Sequence, residues 1–146
     1  MAYTQVVTQG DLEALQRFLR TLEGRKGKLT LALLLRDTEE FSSRWNLIVS
    51  ARWIDNTGPK TVVSYVSELL TTSIQRKTLN LIGRISPLSS HDSFVESFGR
   101  AFHQGFGAPR HVQRLLVGDF FIPEAYLFVS VPPSASNVRV KQVIRA

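Results

Sequence analysis

The sequence predicts an α+β fold: a single domain with a mixed or mainly antiparallel sheet of about five strands and three helices packed mostly on one face. Three observations point there. The stretch Trp45 to Asp55 alternates at period two, with Trp45, Leu47, Val49, Ala51 and Trp53 on one side and Asn46, Ile48, Ser50, Arg52 and Ile54 on the other. Three other stretches carry apolar residues at spacings of three and four, which is helical periodicity. Turn signals separate these segments at short intervals, in the order helix, strand, strand, helix, strand, helix, strand, strand.

The first helix is signalled by Thr8 and Asp11, a weaker form of the capping box in which the hydroxyl and the carboxylate each accept from a backbone N–H. Leu12, Leu15, Phe18, Leu19 and Leu22 form its apolar stripe, and Gly24 ends it. The polar connection Arg25 to Lys28 leads into Leu29 to Arg36, read as a strand although its leucines leave a helix as the alternative. Asp37 to Ser43 is a polar loop returning into the Trp45 strand, so the two strands form an antiparallel hairpin with residue 36 near residue 45. That pairing puts Asp55 beside Arg25, Lys26 and Lys28 and Asp37 near Arg44, so these aspartates are not a catalytic pair.

Asn56 to Pro59 is a turn with proline at a helix start, where a missing N–H costs nothing. The second helix runs from about Lys60 to Arg76 on the stripe Val62, Val63, Val66, Leu69, Leu70 and Ile74, and its many β-branched residues make it dependent on tertiary packing. Leu79 to Ser86 is the next strand, ended by Pro87. A third helix spans Ser90 to Gln104, with Phe94, Phe98 and Phe102 stacked at spacings of four and laid on the sheet rather than facing a flat ligand. Val112 to Val117 and Glu124 to Val131 are the last strands, joined through Gly118 to Pro123. Residues 1–133 form the domain. Residues 134–146 are a basic tail or edge strand in which Val138, Val140 and Ile144 oppose Arg139, Lys141 and Arg145, with disorder in isolation the equal alternative.

A chain of 146 residues fits one core, and with no cysteine it has no disulfide, thiolate metal site or cysteine nucleophile. Its start lacks the basic and apolar segments of a secretory signal, and the longest apolar run, Leu31 to Leu35, is far short of a membrane span. The expected location is the cytoplasm. The net charge of +6 is uneven, with +2 over Met1 to Glu96 and +4 over Ser97 to Ala146. The basic residues are dispersed, which suits ordinary solubility as well as an anionic partner.

The strand Trp45, Leu47, Val49, Ser50, Ala51, Trp53, Ile54, with the later pair Arg84 and Ile85, resembles a group of small uncharacterised prokaryotic proteins. In them a Trp-x-Leu-x-Val-Ser-Ala-x-Trp strand precedes a helix and a strand with arginine beside isoleucine. The resemblance covers roughly Leu29 to Leu88 and implies an α+β fold, with no activity and no catalytic residue attached to it.

Chemistry is sparse. His91, His103 and His111 stand 12 and 8 residues apart, which fits no compact metal motif, and no Gly-x-Ser-x-Gly turn presents a nucleophile. The glycine-rich Gly105 to Arg110 loop matches no phosphate-binding fingerprint. No cofactor and no metal is expected. Arg52 and Arg84 lie within apolar strands, so each must reach water, an acid or an anion, and together on one sheet face they would bind a carboxylate or phosphate. The second sheet face, with Leu34, Ile48 and Ile54, is too apolar for water, which suggests a dimer interface. The leading reading is a non-catalytic interaction or regulatory domain that self-associates as a homodimer. The alternatives are a nucleic-acid binder, of RNA in particular, using Arg100, His103, Arg110, His111, Arg114, Arg139, Lys141 and Arg145 with Phe106 as a stacking side chain, and a binder or enzyme for a small anionic ligand.

Overall fold

A five-stranded sheet runs through the middle of the molecule in the order β3-β2-β1-β5-β4. The structure, a computed structural model, describes residues 6–36 and 44–132. Its strands are β1 (Leu29–Arg36), β2 (Trp45–Ala51), β3 (Ile82–Leu88), β4 (Arg110–Val117) and β5 (Phe120–Ser130). All neighbours are antiparallel except β2 and β3, which are parallel and therefore need a crossover. The crossover holds α2 (Arg52–Asp55), α3 (Pro59–Ser73) and α4 (Arg76–Leu79), while α1 (Gln9–Lys26) precedes the sheet and α5 (Ser93–Ala101) links β3 to β4.

The α1 capping box forms as expected: Thr8 Oγ1 accepts from the Asp11 N–H at 3.1 Å and Asp11 Oδ2 from the Thr8 N–H at 3.0 Å. Leu12, Leu15, Phe18, Leu19 and Leu22 are all buried, as is the α3 stripe of Val62, Val66, Leu69 and Leu70. The first hairpin also has the expected register, Arg36 opposite Trp45. β1 lies centrally and is covered on both faces, with Ala32 and Leu34 in the core under α1 and α3, and Leu31 and Leu33 in the core under α5. A strand buried on both sides reads as a continuous apolar run, which accounts for its string of leucines.

Several expectations change, among them the placing of Leu34 and Ile54, which lie in the core under α1 and α3 and not on the second sheet face. Strand β2 ends at Ala51, not Asp55, because its partner β1 begins at Leu29, opposite Ala51. The chain turns into α2, from which the Trp53 indole N–H donates to the Gly27 carbonyl at 3.2 Å. Asp55 consequently meets Ser90, whose backbone N–H donates to Oδ1 at 2.8 Å and whose hydroxyl donates to Oδ2, rather than the Arg25 to Lys28 connection. β3 starts later than expected and passes through Pro87, which is tolerated because β3 is an edge strand whose outer N–H groups have no ladder partner. Finally, α5 stops at Ala101, since Gln104 leaves the helix to exchange both backbone hydrogen bonds with Ser130 on β5.

Two of the three longer helices, α1 and α3, share the tryptophan face, and α5 lies opposite. Phe98 is fully buried there, 5.0 Å from Phe94 between ring centroids, in one cluster with Leu31, Leu33, Ile48 and Leu127. The phenylalanine stripe is therefore core, and it covers part of the face that the sequence left without a layer. Among the described residues no helix is long and apolar enough to cross a membrane.

Candidate functional site

Strands β4 and β5 turn tightly at Gly118 and Asp119, where Gly118 takes φ +59 and an added Cβ would come 2.5 Å from Ser97 Oγ. Only glycine fits such a turn without strain. Leu115, Val117, Phe120 and Ile122 pack toward α5, so their neighbours Leu116 and Phe121, paired across the hairpin, point to the other face. Among the described residues no helix covers them. They are 68% and 64% exposed, the most exposed large apolar side chains of the sheet.

Farther along the same face, past a kink where Arg114 adopts φ +48 opposite Pro123, lies a polar and aromatic group. Glu124 bridges two strands: one carboxylate oxygen accepts from Arg36 at 3.0 Å and the other from His111 Nε2 at 2.8 Å. A carboxylate can only accept, so this bond places the imidazole proton on Nε2. The His111 ring stacks on Tyr126 with centroids 4.4 Å apart and planes 7° from parallel, and Tyr126 in turn meets the buried Trp45 at 5.5 Å. Burial, with the Glu124 charge nearby, pushes the Tyr126 hydroxyl above its ordinary value. Both oxygens of Glu124 are engaged, so it acts as a strut that fixes His111 and Arg36. The arrangement is a half-exposed surface held by hydrogen bonds and ring stacking.

Arg52 and Arg84 are both exposed and are not brought together. Arg84 pairs in register with Asn46 near the start of β2, whereas Arg52 follows Ala51 at its end, roughly 16 Å away along the strand axis. Both have partners of their own. The premise of one shared sheet face fails because Arg52 belongs to a helical turn. Of the residues expected to contact nucleic acid, Arg100, His103, Arg110, His111 and Arg114 are exposed around α5 and β4, with the Arg110 guanidinium 5.3 Å from the Phe102 ring centre. Phe106 is half-buried beneath Arg20, 5.2 Å from its ring centre, and so is not a bare stacking platform. Arg139, Lys141 and Arg145 lie outside the described residues, as do Asp37 and the tail as a whole.

Leu116, Phe121, Glu124 and Arg36 were not singled out by sequence reasoning. The alternation of β4 and β5 carried a signal for the first two, but which side a helix would cover depends on the tertiary path. Among the described residues no three of His, Asp and Glu gather as a metal site would require. Comparison with known proteins finds no matching family model, no matching curated protein and no matching solved structure.

Proposed function

We propose that the protein is a non-catalytic interaction domain, cytoplasmic, that self-associates through the open face of the β4–β5 hairpin. The observation carrying this reading is the pair Leu116 and Phe121, apolar, adjacent in register and left to solvent. Exposed apolar clusters of this kind mark association surfaces. The same face supplies rigid rings from His111 and Tyr126, which lose little conformational entropy on contact. Face packing is favoured over strand addition, because the outer edge of β4 is kinked at Arg114 and carries Arg110, features that blunt an edge.

The test is the mass in solution by sedimentation equilibrium. The wild type is expected as a dimer at concentrations of about 100 μM. The double variant L116S/F121S is expected as a folded monomer, with unchanged circular dichroism. A monomeric wild type, or a variant that still dimerises, overturns the reading.

A second reading, RNA binding, is favoured by one observation: Arg100, His103, Arg110 and Arg114 lie exposed around the hairpin that also carries the His111–Tyr126 stack. Salt separates the two. Retention of RNA must fall as salt rises, because phosphate contacts release counterions.

A further inference from the structure

His91, His103 and His111 are all exposed, but among the described residues only His111 has its ring held by a hydrogen bond and a stack. Glu124 Oε2 accepts the Nε2–H at 2.8 Å, and the ring lies on Tyr126 with centroids 4.4 Å apart and planes 7° from parallel. Glu124 is held in turn, because its other oxygen accepts from Arg36 on β1 at 3.0 Å. The imidazole is thus fixed both in orientation and in the position of its proton.

With the proton on Nε2, the lone pair of the neutral ring sits on Nδ1. Nδ1 has no hydrogen-bond partner among the described residues, and the His111 side chain is 41% exposed. The Tyr126 stack covers a face of the ring and not its edge, where the lone pair lies. A bond formed by Nδ1 turns the ring into a cation, and the Glu124 carboxylate, already on the Nε2–H, holds that charge without having to move. The charge of +4 over Ser97 to Ala146 draws a dianionic reagent toward this part of the chain more than a neutral ester. No side chain is required to grip the reagent.

We propose that His111 is a phosphoryl acceptor: Nδ1 takes a phosphoryl group from a small activated phosphate, an acyl phosphate or a phosphoramidate, and Glu124 is its positioning residue. The Nδ1 lone pair forms the N–P bond while the bond from phosphorus to the leaving oxygen or nitrogen breaks, and that electron pair departs with the carboxylate or the amine. No proton leaves the imidazole, since the Nε2–H stays on Glu124. The site is one of covalent modification and is independent of self-association.

Incubation of the whole chain with phosphoramidate at neutral to mildly alkaline pH, read by peptide mass spectrometry and phosphorus NMR, tests this. His111 is expected to take the label about tenfold faster than His91 and His103, the scale on which a carboxylate behind an imidazole acts. Those two histidines are also exposed, so exposure alone would label all three alike. The label should sit on Nδ1, which phosphorus NMR distinguishes from Nε2, the less hindered nitrogen at which an unconstrained imidazole reacts. Glu124→Gln keeps the shape and removes the charge, and it should slow labelling about tenfold and let Nε2 compete, with unchanged circular dichroism. His111→Gln should lose this label and leave those on His91 and His103 as they were. The L116S/F121S variant should label at His111 at least as fast as the wild type, so failure of the hairpin reading leaves this one standing. The proposal is overturned by equal labelling of the three histidines, by a label on Nε2 of His111, or by an undiminished rate in Glu124→Gln.

Discussion

Asp11 does two jobs with one carboxylate. It closes the capping box of α1 through the Thr8 N–H and ties α1 to α4 through Thr78, and it is buried, 3% exposed, while doing so. Burial alone would raise its pKa, but the hydrogen bonds from Thr8 and Thr78 and the charge of Lys77 outweigh that and hold it below the ordinary 3.8. Asp55 follows the same pattern, its burial overcome by the bonds from Ser90 and Ser89 and by His91. Because both folded pKa values are depressed, each carboxylate stabilises the fold fully above pH 3.8 and loses that contribution as pH falls through the lower folded value. Melting temperature against pH should therefore drop steeply below that point in the wild type. In Asp11→Asn the drop should be shallower, on a baseline lowered at neutral pH by about 1–3 kcal/mol, the cost of weakening a cap and a buried hydrogen bond together. Thr78→Val keeps the volume but leaves Oδ1 of Asp11 without its donor. It should cost about 1–2 kcal/mol in urea denaturation with an unchanged slope. A D11N profile that parallels the wild type would show that ionisation of Asp11 contributes nothing to the acid transition.

Among the elements, α5 and the β4–β5 hairpin depend on one another. α5 is only nine residues long, too short to persist alone, and is held by Phe98 in the core and by the Ser130 hydroxyl donating to the Phe98 carbonyl at 3.2 Å. Phe98→Ala should destabilise the protein by about 3–5 kcal/mol, in line with large-to-small changes at a fully buried aromatic. It should also uncover Leu31, Leu33 and Ile48 and so raise the binding of an apolar dye before the main unfolding transition. A single transition with a loss under about 1 kcal/mol would mean that α5 is not what seals this face. The Glu124 bridge is a different kind of contact: Arg36 is 38% and His111 41% exposed in their side chains, so these ion pairs orient the surface more than they stabilise it. Glu124→Gln should accordingly leave stability within about 1 kcal/mol of wild type while weakening self-association.

For the whole molecule, charge sets the sign of the most general prediction. A chain of net +6 repels its own copies, and added salt screens that repulsion. Self-association should strengthen between low and physiological salt, whereas an RNA complex should weaken over the same range, so one salt series read by sedimentation separates the two readings. By itself the sequence determined the α+β class, the α1 cap and both buried helix stripes, and the register of the β1–β2 hairpin, because each of these rests on local periodicity or on a cap only a few residues long. It could not place α5 on the face opposite α1 and α3, since a phenylalanine stripe says that a helix is buried but not against which side of a sheet. Nor could it end β2 at Ala51, which depends on where a partner strand begins. The Arg36–Glu124 contact and the Asp11–Thr78 tie between α1 and α4 arise only when residues dozens of positions apart are brought together, and which side of the β4–β5 hairpin leaves Leu116 and Phe121 exposed depends on where α5 packs. Local physics writes the elements into the chain, whereas which faces they cover, and so which surfaces remain to bind anything, is fixed by packing that no single segment encodes.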